Sequence, residues 1–146
     1  MIALIQRVSR AHVEVAGQSV GAIGRGILAL VGVEATDDAA TASRLLDRVV
    51  TYRIFPDDAG KMNLDLRQIG GDLMLVPQFT LVADTRKGTR PSFSAGATPE
   101  NARLQFQALL TAARATGLRV AAGVFGADMQ VHLVNDGPVT FNLHVT

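Results

Sequence analysis

The chain contains no cysteine, which excludes disulfides and any chemistry that needs a thiolate. Net charge is nearly absent too. Fourteen basic residues stand against 13 acidic ones, leaving +1, so no global field advertises a nucleic-acid or membrane partner and any such site must be local. Long apolar runs are missing: none approaches a membrane span, and the opening "MIALIQRVSR" meets charge too soon to be a signal-peptide core. A soluble, cytoplasmic protein is expected. Gly21, Gly24 and Gly26 crowd one segment, but no Gly-Lys-Ser/Thr appears and a strand pattern rather than a helix follows, which excludes a phosphate loop. Repeats, linkers and low-complexity segments are not found. What the chain does have is 48% hydrophobic residues and only 18% charged ones across 146 positions, enough for one domain over residues 1–146 with a substantial core.

Periodicity divides that domain into strands and two helices. "IALIQRV", "HVEV" and "ILALVGV" predict strands of a small antiparallel meander. Ala42, Leu45, Leu46, Val49 and Val50 then fall on one helical face behind Asp37 or Asp38 as cap, and this helix must stop before Pro56. "LMLVPQFTLVAD" predicts a long apolar strand with an edge, bulge or break at Pro77, which has no N–H to give to a ladder. Thr98, Pro99 and Glu100 open a second helix, with Ala102, Phe106, Leu109, Leu110 and Ala113 as its buried stripe and Gly117 as its end. "LRVAAGVF", "QVHLV" and "VTFNLHV" predict three more strands. The fold class is α+β, with a mostly antiparallel sheet and two main helices.

Little side-chain chemistry stands out. His12, His132 and His144 lie in predicted strands without metal-ligand spacing, so no metal is expected. Thr80 in "PQFTL" has no histidine or lysine near it in sequence to activate its hydroxyl. Two backbone features remain: the interruption at Pro77 and the Gly137-Pro138 corner, where glycine supplies unusual angles and proline a fixed φ. Main-chain N–H groups freed from a ladder can stabilise an oxyanion in acyl transfer. Arg86, Lys87 and Arg90 sit in a loop, "TRKGTRPSFSAGATPE", that has no acidic residue before Glu100; it reads equally as a phosphate-binding or a merely solvated loop.

The combination of "MIALIQRVSRAHVEV", "RIFPDDAGKMNLDL", "VPQFTLVAD", "KGTRPSF" and "FGADMQVHLVNDGPVT" resembles the D-aminoacyl-tRNA deacylases over essentially the whole chain. The resemblance implies a compact barrel-like fold, a homodimer with active sites at the subunit interface, and a cofactor-free ester hydrolase. Such an enzyme removes D-amino acids, and often glycine mischarged onto tRNA-Ala, in the chiral proofreading of translation. Residue by residue, it implies that the main chain of Gln78, Phe79 and Thr80 surrounds the scissile ester. Gly137 and Pro138 would form a cis corner, braced by Arg7, that enters the partner's site and sets stereoselectivity. Phe125 and Met129 would hold the terminal adenosine, and Arg86, Lys87 and Arg90 are the candidates for contact with the tRNA backbone.

One departure is visible: Pro77 stands where the family usually has serine, a feature reminiscent of a sibling class with relaxed stereoselectivity. A serine hydroxyl therefore cannot be essential here. Two alternatives of other kinds remain at this level, a non-catalytic RNA-end binding module and a small-molecule hydrolase indifferent to RNA.

Overall fold

A computed structural model describes all residues, 1–146. Its eight strands are β1 (Ile2–Val15), β2 (Gln18–Ile23), β3 (Gly26–Gly32), β4 (Phe55–Pro56), β5 (Met62–Leu64), β6 (Asp72–Pro77), β7 (Val120–Ala122) and β8 (Gln130–His144); the helices are α1 (Ala39–Val50) and α2 (Pro99–Arg114). The main sheet runs β2-β1-β3-β6-β7, with β8 added on β1. Pairings of β1 with β2, β3 and β8 are antiparallel, while β3-β6 and β6-β7 are parallel. The sheet curls until its ends nearly meet. A Cβ built on Gly21 of β2 would stand 3.1 Å from the Ala122 carbonyl oxygen of β7, so this glycine lets the barrel-like sheet approach closure.

The expected meander is corrected in one respect. β1 is a single long strand whose first half pairs with β3 and second half with β2, while β8 runs along both halves. Between Ile5 and Val8, β1 passes from one core to another. Ala3 and Ile5 join the larger core beneath the helices, whereas Val8, Ala11 and Val13 join a smaller core with Leu28, Met74 and Val76. Strands β3 and β6 feed both cores from opposite faces, which is why they read as unbroken apolar runs rather than alternating ones.

Both helices follow their sequence signals. Asp38 caps α1 by accepting a 2.8 Å hydrogen bond from Thr41 N–H, and Thr98 caps α2 through Asn101 N–H at 3.3 Å. The stripes named above are buried, with Gln105 added to that of α2. Helical propensity alone would not hold 12- and 16-residue segments; the buried stripes do. At the far end of the sheet the Met1 ammonium is fully buried and donates to Glu34, Asp37 and the Val145 carbonyl, each at 2.7 Å.

Candidate active site

β6 ends at Pro77, and the chain turns at once into one turn of 3-10 helix, Phe79–Val82. The strand expected through residues 78–84 is therefore corrected to a strand end and a turn, and Thr80 is not a strand threonine. Proline can close a ladder but cannot extend it as a donor. Gln78 N–H makes the last link, 2.7 Å to the Val31 carbonyl. Phe79 and Thr80 begin the turn, so their N–H groups have no acceptor within it. Gly32 makes room for the turn: a Cβ there would lie 3.0 Å from Leu81 Cβ and 3.0 Å from Val82 Cγ1.

A cavity of about 510 Å³ opens beside this turn. Gln78 and Phe79 form one wall, Phe125 and Met129 another, and Ala97, Pro99 and Ala102 at the start of α2 a third. Residues about fifty positions apart in sequence thus share one hollow. None of its twelve lining residues carries an ionisable group or a hydroxyl. A smaller recess behind Phe79 is lined by Val31, Val82, Phe93 and Phe106 among others. Phe79 is 64% exposed, and its ring meets Phe93 with centroids 5.0 Å apart. Thr80 stays outside both hollows, its hydroxyl accepting from Gln78 Nε2 at 2.5 Å.

Phe93 and Arg103 are functional-site residues that the sequence alone does not single out. Phe93 sits in the quoted "KGTRPSF", so a signal existed. Arg103 lies over the Phe125 ring at 5.0 Å, a cation–π contact that only the fold creates. Met129 is fixed from the other side, its sulfur accepting from Val124 N–H at 3.3 Å.

The Gly137-Pro138 corner is not in this cavity. Sequence periodicity separates "QVHLV" from "VTFNLHV", yet both belong to the single strand β8, and the corner is a bulge within it. Opposite Gln6 and Val8 of β1 stand Thr140 and Asn135, so residues 136–139 loop out across from Arg7 alone. The Gly137-Pro138 peptide is cis, and Gly137 has φ +151°. A Cβ at Gly137 would come within 2.7 Å of Val139 Cγ2, so glycine is required. Arg7 Nε donates to the Asp136 carbonyl and Nη1 to the Ile54 carbonyl, both at 2.7 Å. Asn135, quoted in "NDGPVT" without a role, spans the bulge: its Oδ1 accepts from Val139 N–H at 2.6 Å, and its Nδ2 donates to Thr140 Oγ1 at 2.9 Å.

In the basic loop the three cations differ. Arg86 is locked to Asp84 by hydrogen bonds of 2.9 and 2.7 Å. That pair holds the Asp84 carboxyl well below the usual carboxylate range and raises Arg86. Lys87 and Arg90 are exposed and form no ion pair. The loop is pinned at its base by Asp84–Ser92 hydrogen bonds of 2.8 and 3.1 Å. Linear spacing also concealed one cluster. His12, Glu14 and His132, which show no metal-ligand spacing along the chain, converge across β1 and β8.

Comparisons with known proteins converge on one family. The model of a family described as D-Tyr-tRNA(Tyr) deacylase matches residues 4–144. A D-aminoacyl-tRNA deacylase of Alkalilimnicola ehrlichii is 61% identical over 141 residues, covering 97% of this chain and 94% of its own. One from Shewanella loihica is 58% identical over 145 residues, covering 99% and 100%. Among solved structures, the c-Myc DNA Unwinding Element Binding Protein superimposes with a TM-score of 0.93 at 36% identity, over 99% of this chain and 98% of that one. A probable eukaryotic D-amino acid tRNA deacylase shares the fold, with a TM-score of 0.83 at 16% identity over 97% and 98%.

Proposed function

This chain belongs to the D-Tyr-tRNA(Tyr) deacylase family, and from that premise we propose how its cavity and corner carry out the reaction. The chain is an ester hydrolase that cleaves D-aminoacyl-tRNA into free D-amino acid and tRNA. The terminal adenosine enters the cavity between Phe125 and Met129, where an aromatic ring and a polarisable thioether suit a base. This places the aminoacyl ester against Gln78 and Phe79. Water attacks the carbonyl carbon, assisted by the ribose 2′-hydroxyl, and the Phe79 and Thr80 N–H groups receive the developing oxyanion. The ester C–O bond then breaks, and the ribose oxygen leaves with a proton.

One observation carries this reading: the cavity has no acid, base or nucleophilic side chain among its lining residues. Chemistry confined to it must use main-chain donors and groups the substrate brings.

The corner lies outside its own chain's cavity, so the reading includes a homodimer in which Gly137 and Pro138 of one copy close the site of the other. Backbone carbonyls there would accept from the α-ammonium of a D-amino acid and leave no space for an L-side chain, so that selection works by exclusion. Glycine passes this filter, and glycyl-tRNA is a second substrate. Lys87 and Arg90, more than Arg86, meet the phosphates.

Deacylation of matched D-, L- and glycyl-tRNAs tests this. Cleavage of the D- and glycyl-forms, sparing of the L-form, and loss of activity on a terminal 2′-deoxyadenosine are expected. Equal cleavage of D and L would assign the chain to a relaxed sibling class, tight binding without turnover to an RNA-end binding module, and undiminished cleavage of the 2′-deoxy substrate would remove the RNA from the chemistry.

A further inference from the structure

The register of β8 on β1 sets His12 directly opposite His132. Their imidazoles stack with centroids 4.3 Å apart and planes 3° from parallel. Side chains two apart on a strand share a face, so Glu14 joins them. Its Oε1 lies 3.2 Å from His12 Nε2, and its Oε2 lies 3.7 Å from His132 Nε2. One donor atom from each of the three residues falls within 4.8 Å of the other two.

Those separations have a chemical meaning. A tetrahedral Zn²⁺ bound at about 2.0–2.1 Å from nitrogen and about 2.0–2.2 Å from oxygen spaces its neighbouring ligand atoms about 3.3–3.5 Å apart. The two nitrogen–oxygen distances straddle that value. Stacked parallel rings aim their in-plane lone pairs side by side, so metal binding requires the imidazoles to rotate out of the stack; both are partly exposed, at 41% and 49%, which leaves room for that rotation. Two imidazoles and a carboxylate suit Zn²⁺, Ni²⁺ or Cu²⁺ better than Mg²⁺ or Ca²⁺. Arg10 lines the same shallow hollow and is the cation that opposes binding there.

We propose that His12, Glu14 and His132 form a three-ligand site for a divalent transition-metal ion, with water completing its coordination. The ion would cross-link β8 to β1 on the stretch that leads into the Gly137-Pro138 corner. It takes no part in ester cleavage, because its ligands lie outside the catalytic cavity.

The test uses the full chain, stripped of metal with a chelator and dialysed against Zn²⁺. One ion per chain is expected, and His132→Ala or His12→Ala should weaken binding about tenfold or more. On Zn²⁺ titration of the unsubstituted protein, NMR signals of the His12 and His132 rings should move together while those of His144 stay in place; this readout does not depend on a variant folding. No bound Zn²⁺, binding unchanged by either substitution, or movement of His144 in place of the pair would overturn the proposal.

Discussion

The cavity and the corner are built on opposite plans. The cavity wall at residues 77–82 packs against β3 with Val82 buried, and its shape comes from apolar contact and from the space left by Gly32. The corner at residues 136–139 projects from the sheet, and polar hydrogen bonds from Arg7 and Asn135 hold it. Packing can fix a wall that has core behind it, but a projecting loop has no interior and must be tied by directional bonds. The two regions should therefore fail differently: the wall through crowding, with stability lost alongside activity, and the corner through lost ties, with selectivity lost first.

The largest effect is expected at Arg7. Charge-assisted hydrogen bonds contribute about 1.5–3 kcal/mol each, and removing the guanidinium leaves the Asp136 and Ile54 carbonyls without it. Arg7→Ala should lower kcat/KM on D-aminoacyl-tRNA by about 100-fold or more and reduce the D-to-L ratio, measured on matched substrates. Retention of both would show that the corner needs no brace. Gly32→Ala strikes the wall instead. Crowding by one methyl typically costs about 1–3 kcal/mol, so urea denaturation should show that loss together with an activity loss of about tenfold. A stable Gly32→Ala protein of normal activity would break the contrast.

Smaller effects separate the supporting parts. Replacing Lys87 and Arg90 together should flatten the salt dependence of tRNA binding by about 1.4 in log–log slope, at about 0.7 per phosphate contact on a single strand. Arg86→Ala should change it less, since Asp84 already occupies that guanidinium. At the far end of β8, burial raises the Glu34 carboxyl, but hydrogen bonds from the Met1 ammonium and His144 outweigh it and leave the group below its ordinary 4.5. A depressed folded-state value favours the native state above the ordinary carboxylate range, and that contribution disappears as pH falls through the folded value. Glu34→Gln should make thermal stability less dependent on pH below about 4.5 without affecting stereoselectivity. An unchanged acid limb of the melting profile would contradict this.

The helices were legible because each carried a cap and a stripe: Asp38 with Ala42 to Val50, and Thr98 with Ala102 to Ala113. Pro77 was legible as an interruption, since a proline's missing donor acts locally. Long-range pairing was not. Nothing near Ile2–Val15 tells that β1 pairs with β3 in its first half and β2 in its second, or that it passes from one core to the other between Ile5 and Val8. The corner looked like a boundary between strands because its residues are turn formers, whereas only the register against Gln6 and Val8 reveals a bulge in one strand. His12 and His132 are 120 positions apart, and it took the same register to make them neighbours. The quoted motifs named Gln78, Phe79, Phe125 and Met129, but their meeting in one cavity, and the cavity's lack of ionisable groups, are properties of the fold.

Thr80 offers the most direct trial of main-chain catalysis. Its hydroxyl is the only one in the 3-10 turn, lies outside the cavity, and contacts Gln78 alone among side chains. Single-turnover deacylation of D-aminoacyl-tRNA by Thr80→Ala, compared with the unsubstituted enzyme and with thermal melting as the check on folding, puts the question cleanly. Backbone donors survive this substitution, so a rate within about threefold is expected, less than about 1 kcal/mol of barrier. A loss of about a thousandfold in a protein that melts normally would make the hydroxyl the nucleophile or an indispensable donor, and main-chain catalysis would be wrong.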